Sequence, residues 1–290
     1  MDTFDGLARR EQLTALGHSG AAIRNAVRHG TLVVPRRGWV ATVRAPLRAV
    51  RAVELGGRLG GSSALASYGV WVDDDDVLVV SCTPTASRLP DLRPGERRVW
   101  MTPTFAPNAR TTWRVSLEDA ILQLARTATR EELISTIDSA VNKGLLPKRS
   151  RLALYAALPR RFGKVARDVD GASMSGTETR LRLALRAAGY RVECQVTIPG
   201  VGVVDLLVEG WLVLELDSKE HHGSPEQQAR DRARDGNAVL SAYGHERFMW
   251  SQVRYSMEWC MAVVEQRVRD GRPDRTPLDR RTHLKLARNS

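Results

Sequence analysis

The chain has 290 residues, with 44 Lys and Arg against 33 Asp and Glu, a formal net charge of +11 and a sequence pI of about 10.3. Its length and 42% hydrophobic share allow two or three domains with buried cores. No apolar run reaches the roughly 18 residues a membrane span needs, which excludes a transmembrane helix and leaves no membrane partner to expect.

The three cysteines, Cys82, Cys194 and Cys260, are isolated and form no CxxC pair. That spacing argues against a zinc site and against a disulfide framework. With no secretory pattern at the N-terminus, the expected compartment is the reducing cytoplasm. The positive charge is mostly arginine, whose planar fork matches phosphates and base edges, so DNA is the leading partner. A GC-rich genome also raises arginine content, and composition alone does not separate the two causes.

Residues 1–45 read as one small unit. A first helix ends at Gly17, Ser19 caps a second helix, "GAAIRNAVRHG", and Gly30 stops it. Ile23 and Val27 lie four apart and share its apolar face. "TLVVPRRGWVAT" then predicts a hairpin turning at Arg36-Arg37-Gly38. Helix, turn, helix and basic hairpin is the winged helix-turn-helix pattern. It places Arg24, Asn25 and Arg28 on the exposed side of the second helix and Arg36 and Arg37 at the wing tip, where phosphates and base edges are met.

Residues 46–165 predict a mixed α/β middle region. "DDVLVVSCTPT" and "ERRVWMTPT" read as strands, and the acidic run Asp73 to Asp76 as a solvated turn. Two amphipathic helices follow, one starting at Ser116 with Glu118 and Asp119, the other capped by Thr129 with Glu132. "LPRRFGKVARDVDGASMSG" reads as a linker.

Residues 175–272 predict a compact α/β unit. "TETRLRLALRAAGY" is a helix with Leu181, Leu185 and Ala188 on one stripe, and "VECQVTIPG" is a strand. Two strands follow in "VVDLLVEGWLVLELDSKEHH", then a helix capped by Ser224, a strand "HERFMWSQV" and a last helix. Residues 273–290 read as a basic, disordered tail. The expected class is thus α+β multidomain: winged helix, mixed middle region and an α/β C-terminal domain.

The chemistry concentrates in 203–222. Side chains alternate along a strand, so Leu212, Leu214 and Leu216 face a core while Glu215, Asp217 and Lys219 face the other way. The pairing depends on the loop at Glu209-Gly210. A two-residue loop pairs Asp205 with Leu214. A three-residue loop through Trp211 pairs Val208 with Leu212 and so sets Asp205 opposite Glu215, with Gly210 available for the left-handed position. Opposed carboxylates repel unless a cation or proton separates them, and Mg²⁺ or Mn²⁺ would do so. Such an ion activates water for phosphodiester hydrolysis, with Lys219 or His222 to orient or deprotonate it. Asp231 and Asp235 lie one turn apart on the next helix, placed to hold either residue.

The spacing D-x9-E-x-D resembles the signature of the PD-(D/E)xK nuclease superfamily. More closely, "SGTETRLRLALRAAGY", "VVDLLVEGWLVLELDSKEHH", "RDRARD" and "HERFMWSQV" resemble the DUF559 family, relatives of the very-short-patch-repair (Vsr-like) endonucleases. The resemblance implies a restriction-endonuclease-like fold. In it Asp205, Glu215 and Glu178 correspond to metal-binding acids, His222 to the catalytic histidine, and Arg232 and Asp235 to the helix motif. Asp217 stands where the wider superfamily has lysine, and Ser218 where relatives have glycine. The first 45 residues resemble the winged-helix domain of AbiEi-type antitoxins. That likeness implies a toxin partner or self-association, and the alternative of a transcriptional regulator with a degenerate nuclease fold. The metal chemistry by itself does not separate DNA from RNA as substrate.

Overall fold

The computed structural model describes residues 1–217 and 243–272. It is a mixed α+β protein whose described residues form several helices and three small sheets. The chain divides into two compact units, Met1–Arg167 and a second beginning at Asp168.

The first unit starts with strand β1 (Leu7–Arg9), helices α1 (Arg10–Ala15) and α2 (Gly20–Arg28), and strand β2 (Trp39–Ala41). Ser19 Oγ accepts from Ala22 N at 3.1 Å, the expected cap. β1 and β2 pair antiparallel, from Leu7 opposite Ala41 to Arg9 opposite Trp39. Val33 bridges Ala41 through two backbone bonds of 2.8 and 2.9 Å, and Trp39 N donates to Arg36 O. The chain therefore does reverse at Arg36-Arg37-Gly38. Phe4, Leu13, Ile23, Leu32 and Val40 form the small core beneath.

The same unit continues through α3 (Leu47–Glu54), β3 (Arg58–Leu59), α4 (Gly61–Ser67), β4 (Leu78–Cys82) and β5 (Glu96–Trp100). Helices α5 (Leu117–Leu124), α6 (Arg130–Asn142) and α7 (Lys148–Ala157) complete it. The second sheet has the order β3-β4-β5, with β4 and β5 parallel. Ser116 and Thr129 cap α5 and α6 as expected, accepting from Asp119 N and Glu132 N. Helices α3, α4 and α7 carry weaker local signals; α4 is "GSSALAS", rich in poor helix formers, and is held by packing instead. Trp113 Nε1 donates to Phe4 O at 3.3 Å, and Gln12 Oε1 accepts from Thr112 Oγ1 at 3.1 Å, so 1–45 and the middle region fall in one unit. The expected linker is packed: Phe162 is 5% exposed and Val165 fully buried.

In the second unit, α8 (Gly176–Ala187) precedes β6 (Val192–Ile198), β7 (Gly202–Val208), β8 (Leu212–Asp217) and β9 (Gly244–Met249). The sheet order is β6-β7-β8-β9, antiparallel except for the parallel β8/β9 pair. The segment "HERFMWSQV" corrects the expectation of a single strand. The strand stops at Met249, whose N–H takes Gln252 Oε1 at 2.8 Å, and a helix α9 (Trp250–Tyr255) begins, followed by α10 (Met257–Asp270). The side-chain bond caps the first turn and turns the chain out of the sheet.

Leu181 and Leu185 of α8 pack on Leu206, Val208, Leu212 and Leu214 of the sheet and on Cys260 and Val264 of α10. Full burial of each leucine contributes about 1.5–3 kcal/mol. Ala188, expected on the same stripe, is the exposed C-cap of α8. Arg182 takes the next buried position, with no exposure, and donates from Nη1 to Asp168 O at 2.9 Å. Ile198, Val204, Leu207 and Val213 form a separate cluster. Leu206 and Leu207 are neighbours in sequence yet belong to different clusters, so both sheet faces are apolar here.

Candidate functional site

The β7/β8 hairpin has the odd-length loop. Val208 lies opposite Leu212, Leu207 opposite Val213 and Leu206 opposite Leu214. Glu209 (φ 52°) and Gly210 (φ 73°) are both left-handed, and Trp211 N closes the turn on Val208 O at 3.1 Å. Glu209 Oε1 accepts Arg191 N at 2.7 Å, which anchors the non-glycine residue in that conformation. Trp211 is the extra loop residue; it is 9% exposed and packs into the core. One step beyond the last paired residues, this register brings Asp205 level with Glu215.

At that level the pleat inverts. Val192 and Cys194 pack with the α8 side of the sheet, whereas Val196 and Ile198, of the same parity, pack with the other cluster. On β7, Leu206 and Val204 divide in the same way. Between each pair sit Gln195 and Asp205. Gln195 has φ 51°, a left-handed residue within a strand, which shifts the alternation by one face. Asp205, Glu215 and Asp217 thus share one end of the hairpin. Leu212, Leu214 and Leu216 face the core packed by α8, as expected; the opposite face, expected to be polar, is apolar at Leu207 and Val213.

Gln195 also joins two acids. Its Nε2 donates to Glu178 Oε2 at 3.0 Å and to Asp205 Oδ1 at 3.1 Å. The other Asp205 oxygen, Oδ2, accepts Leu216 N at 2.8 Å and so ends the β7/β8 ladder with a side chain. Glu178 is 4% exposed. It sits in the first turn of α8, where Ser175 Oγ accepts its N–H at 3.1 Å and its own Oε2 accepts Met174 N at 2.9 Å. This is a capping arrangement that returns the chain onto the helix start. Burial, followed by the charge of Asp205, pushes the Glu178 carboxyl above its ordinary value.

Cys194, beside Gln195, is pushed up to about 11 by burial and then by Asp170. Its Sγ is 3.8 Å from Asp170 Oδ2 and 3.7 Å from Ser173 Oγ. The thiol is therefore a packed, protonated group, not a nucleophile.

Of the other predicted residues, Glu215 and Asp217 are half-buried on β8. Asp217 Oδ1 lies 3.9 Å from Arg247 Nε of the parallel neighbour β9, which sets a cation beside this acid. Lys219, His222, Asp231, Arg232 and Asp235 lie outside the described residues, as does the helix expected from Ser224. Among the described residues, no group of three His, Cys, Asp or Glu side chains comes together as metal ligands. The acids brought together are Glu178 and Asp205.

In the first unit Arg24, Asn25 and Arg28 are exposed on α2, and Arg37 is exposed at the turn. Arg36 is not a free wing-tip residue: its Nη1 donates to Glu54 O at 3.1 Å, at the carbonyl end of α3. Among the described residues no helix is long and apolar enough to cross a membrane.

Gln195, Arg247 and Arg182 were invisible to motif spacing because each acts across strands or between a helix and a loop. The one local signal is Gln195, a polar residue midway along the apolar alternation of "VECQVTI".

No family model matches the chain, and no curated protein matches it. Among solved structures, the chain has a likeness to the RV2827C protein from Mycobacterium tuberculosis, 20% identical over 62% of this chain and 76% of that one. The TM-score is 0.31, a likeness too slight to carry an argument about fold or function.

Proposed function

We propose that the second unit is a PD-(D/E)xK-type nuclease domain, related to the DUF559 and Vsr-like endonucleases, that hydrolyses phosphodiester bonds with Mg²⁺ or Mn²⁺. The first 45 residues are its winged-helix DNA-binding element. The observation that carries this reading is the convergence of Glu178 and Asp205, from a helix start and a strand far apart in sequence, on one nitrogen of Gln195.

The fit to a divalent cation rests on the donor set. Two carboxylates, one of them with a proton affinity raised by burial and then by its neighbour, supply hard oxygen donors that Mg²⁺ prefers. Asp205 and Glu178 would hold the ion, with Glu215 as the third acid at the same level of the hairpin. A bound divalent ion polarises a phosphate and lowers the pKa of water. The chain's own residues do the rest. Asp205 fixes the strand end through Leu216, and Gln195 holds both acids in place. Lys219 or His222 is the group assigned to orient the attacking water, and Arg247 stands beside Asp217 as a local positive charge. Arg24, Asn25, Arg28 and Arg37 are assigned to phosphate and base-edge contacts. Arg36, bonded to Glu54, stiffens the wing rather than leading the contact.

A second reading has specific support. Gln195 already places an amide donor between the two acids, and Asp217 replaces the lysine. Both features suit an AbiEi-type antitoxin or transcriptional regulator whose nuclease fold is inactive.

A plasmid-nicking assay with the full-length protein decides between them. Cleavage that requires Mg²⁺ or Mn²⁺ and is lost in Asp205→Asn and Glu178→Gln supports the enzyme. Mg²⁺ should also raise the thermal midpoint of the wild type but not of Glu178→Gln. No metal-dependent cleavage, together with sequence-specific binding upstream of the protein's own gene, rejects the enzyme in favour of the regulator.

A further inference from the structure

Arg9, Arg36, Arg37 and Arg58 line one recess of about 310 Å³ in the first unit. Its size falls at the lower end of the range for small-molecule sites, about 300–1,000 Å³, and exceeds what a single phosphate group fills. Its floor is buried: Val53 has no exposure and Cys82 has 2%. Ser81 and Thr83 add hydroxyls, and among the described residues no Asp or Glu lines it.

Four guanidinium groups around one concavity repel each other unless an anion joins them. Arg58 is the clearest case. It is half-buried on β3, and among the described residues its guanidinium has no hydrogen-bond or ion-pair partner. Burial and the charge of Arg9 both oppose its protonated form. Arg9 lies over the Trp39 ring at 4.8 Å and is 3.8 Å from the exposed Glu11, a pair weakened by solvent. The carbonyl end of α3 abuts the recess, and its Glu54 and Leu55 oxygens are taken by Arg36 and Arg98 at 3.1 and 3.4 Å.

The wall of the recess is closely packed at two glycines. A Cβ on Gly56 (φ 84°) would lie 3.1 Å from Arg36 Cζ and 2.5 Å from Leu89 Cδ2. A Cβ on Gly57 would meet Ser81 O at 2.5 Å. Side chains here would displace the arginine or the strand behind it.

We propose that this recess is a binding site for a phosphomonoester, the terminal phosphate of a small molecule, with Arg58 as its principal ligand. A terminal phosphate reaches a buried floor and offers several oxygens to converging guanidinium forks. A phosphodiester within a continuous duplex lies along a surface instead.

The test uses the full-length protein and three probes: inorganic phosphate, a nucleoside 5′-monophosphate, and a DNA duplex with either 5′-phosphate or 5′-hydroxyl ends. Phosphate should bind and raise the thermal midpoint, while chloride at equal ionic strength does not. Arg58→Gln should weaken that binding at least tenfold with its circular dichroism spectrum unchanged, since among the described residues the Arg58 guanidinium bonds to no other group and its backbone pairing with Ser81 does not depend on the side chain. Arg58→Lys should fall between the two, and Arg44→Ala, exposed and outside the recess, should bind phosphate as the wild type does. Displacement by the monophosphate but by neither duplex identifies a free small molecule. Displacement also by the 5′-phosphorylated duplex, but not its 5′-hydroxyl form, identifies a strand end as a source of the same group. No phosphate-dependent stabilisation, or equal binding by Arg58→Gln, overturns the site. Arg58 is not among the proposed DNA contacts, so phosphate binding without DNA binding rejects only the winged-helix reading.

Discussion

Glu178 and Asp205 share one hydrogen-bond donor. Gln195 Nε2 reaches Glu178 Oε2 at 3.0 Å and Asp205 Oδ1 at 3.1 Å, with the amide standing between two carboxylates that would otherwise repel. Burial first, and Asp205 second, raise the Glu178 proton affinity in the folded state. In the unfolded chain the same carboxyl titrates at its ordinary value. Between the two pKa values the folded state keeps a proton that the unfolded state has lost. Stability therefore falls as pH rises through that window and levels off above the folded pKa. Glu178→Gln should remove this decline. Urea midpoints of the two proteins, compared from about pH 4 to pH 8, should diverge with the wild type falling further; parallel curves would show that Glu178 keeps an ordinary proton affinity.

Asp205 has a structural duty that a nuclease assay must be separated from. Its Oδ2 takes the Leu216 amide at 2.8 Å where the β7/β8 ladder ends. Asp205→Ala leaves that amide without an acceptor and takes from Gln195 Nε2 one of its two, Glu178 remaining, and should cost about 1–3 kcal/mol in urea unfolding. Asp205→Asn retains an oxygen for Leu216 and should cost less. Equal costs for the two variants would mean that the Leu216 bond contributes little.

Cys194 should resist alkylation. With its pKa pushed up to about 11, its thiolate fraction near pH 8 is on the order of one in a thousand. Cys82 and Cys260 are 2% and 0% exposed. Iodoacetamide at pH 8 should leave all three thiols unmodified in the native protein and label all three in urea, read by mass spectrometry. Native labelling of Cys194 at the rate of a free thiol contradicts its raised pKa.

Two glycines make opposite demands. Gly210 (φ 73°) faces only the flexible end of Arg191, Nη2 at 2.9 Å from a built Cβ, so Gly210→Ala carries mainly backbone strain, about 1 kcal/mol. Gly57 faces the Ser81 carbonyl, part of the sheet backbone, at 2.5 Å. Gly57→Ala should cost about 2 kcal/mol or more, because a strand must move. Denaturant titration of both variants orders the two costs, and the reverse order would show that the β7/β8 turn is the less tolerant backbone.

Local sequence determined the features that depend on neighbours in the chain. Ser19, Ser116, Thr129 and Ser175 cap helices because a side-chain oxygen three residues before an N–H needs no tertiary partner. At Glu209-Gly210 the local sequence offered two loops, with Gly210 available for a left-handed turn, and the pairing of Val208 with Leu212 decided for the odd one through Trp211. The tertiary structure decided the rest. Whether Glu178 meets Asp205 depends on α8 packing its leucines on β7. The amide between them comes from a third element, β6, at a residue whose left-handed backbone breaks strand alternation. Arg36 was displaced from its expected role by a carbonyl of α3, eighteen residues away. Arg58, one arginine among many in the sequence, is singled out only by its half-buried place in the recess with no acceptor for its guanidinium among the described residues. Charge and periodicity describe what a residue offers; its partners depend on which surfaces pack, because desolvation and hydrogen-bond geometry act across the fold rather than along the chain.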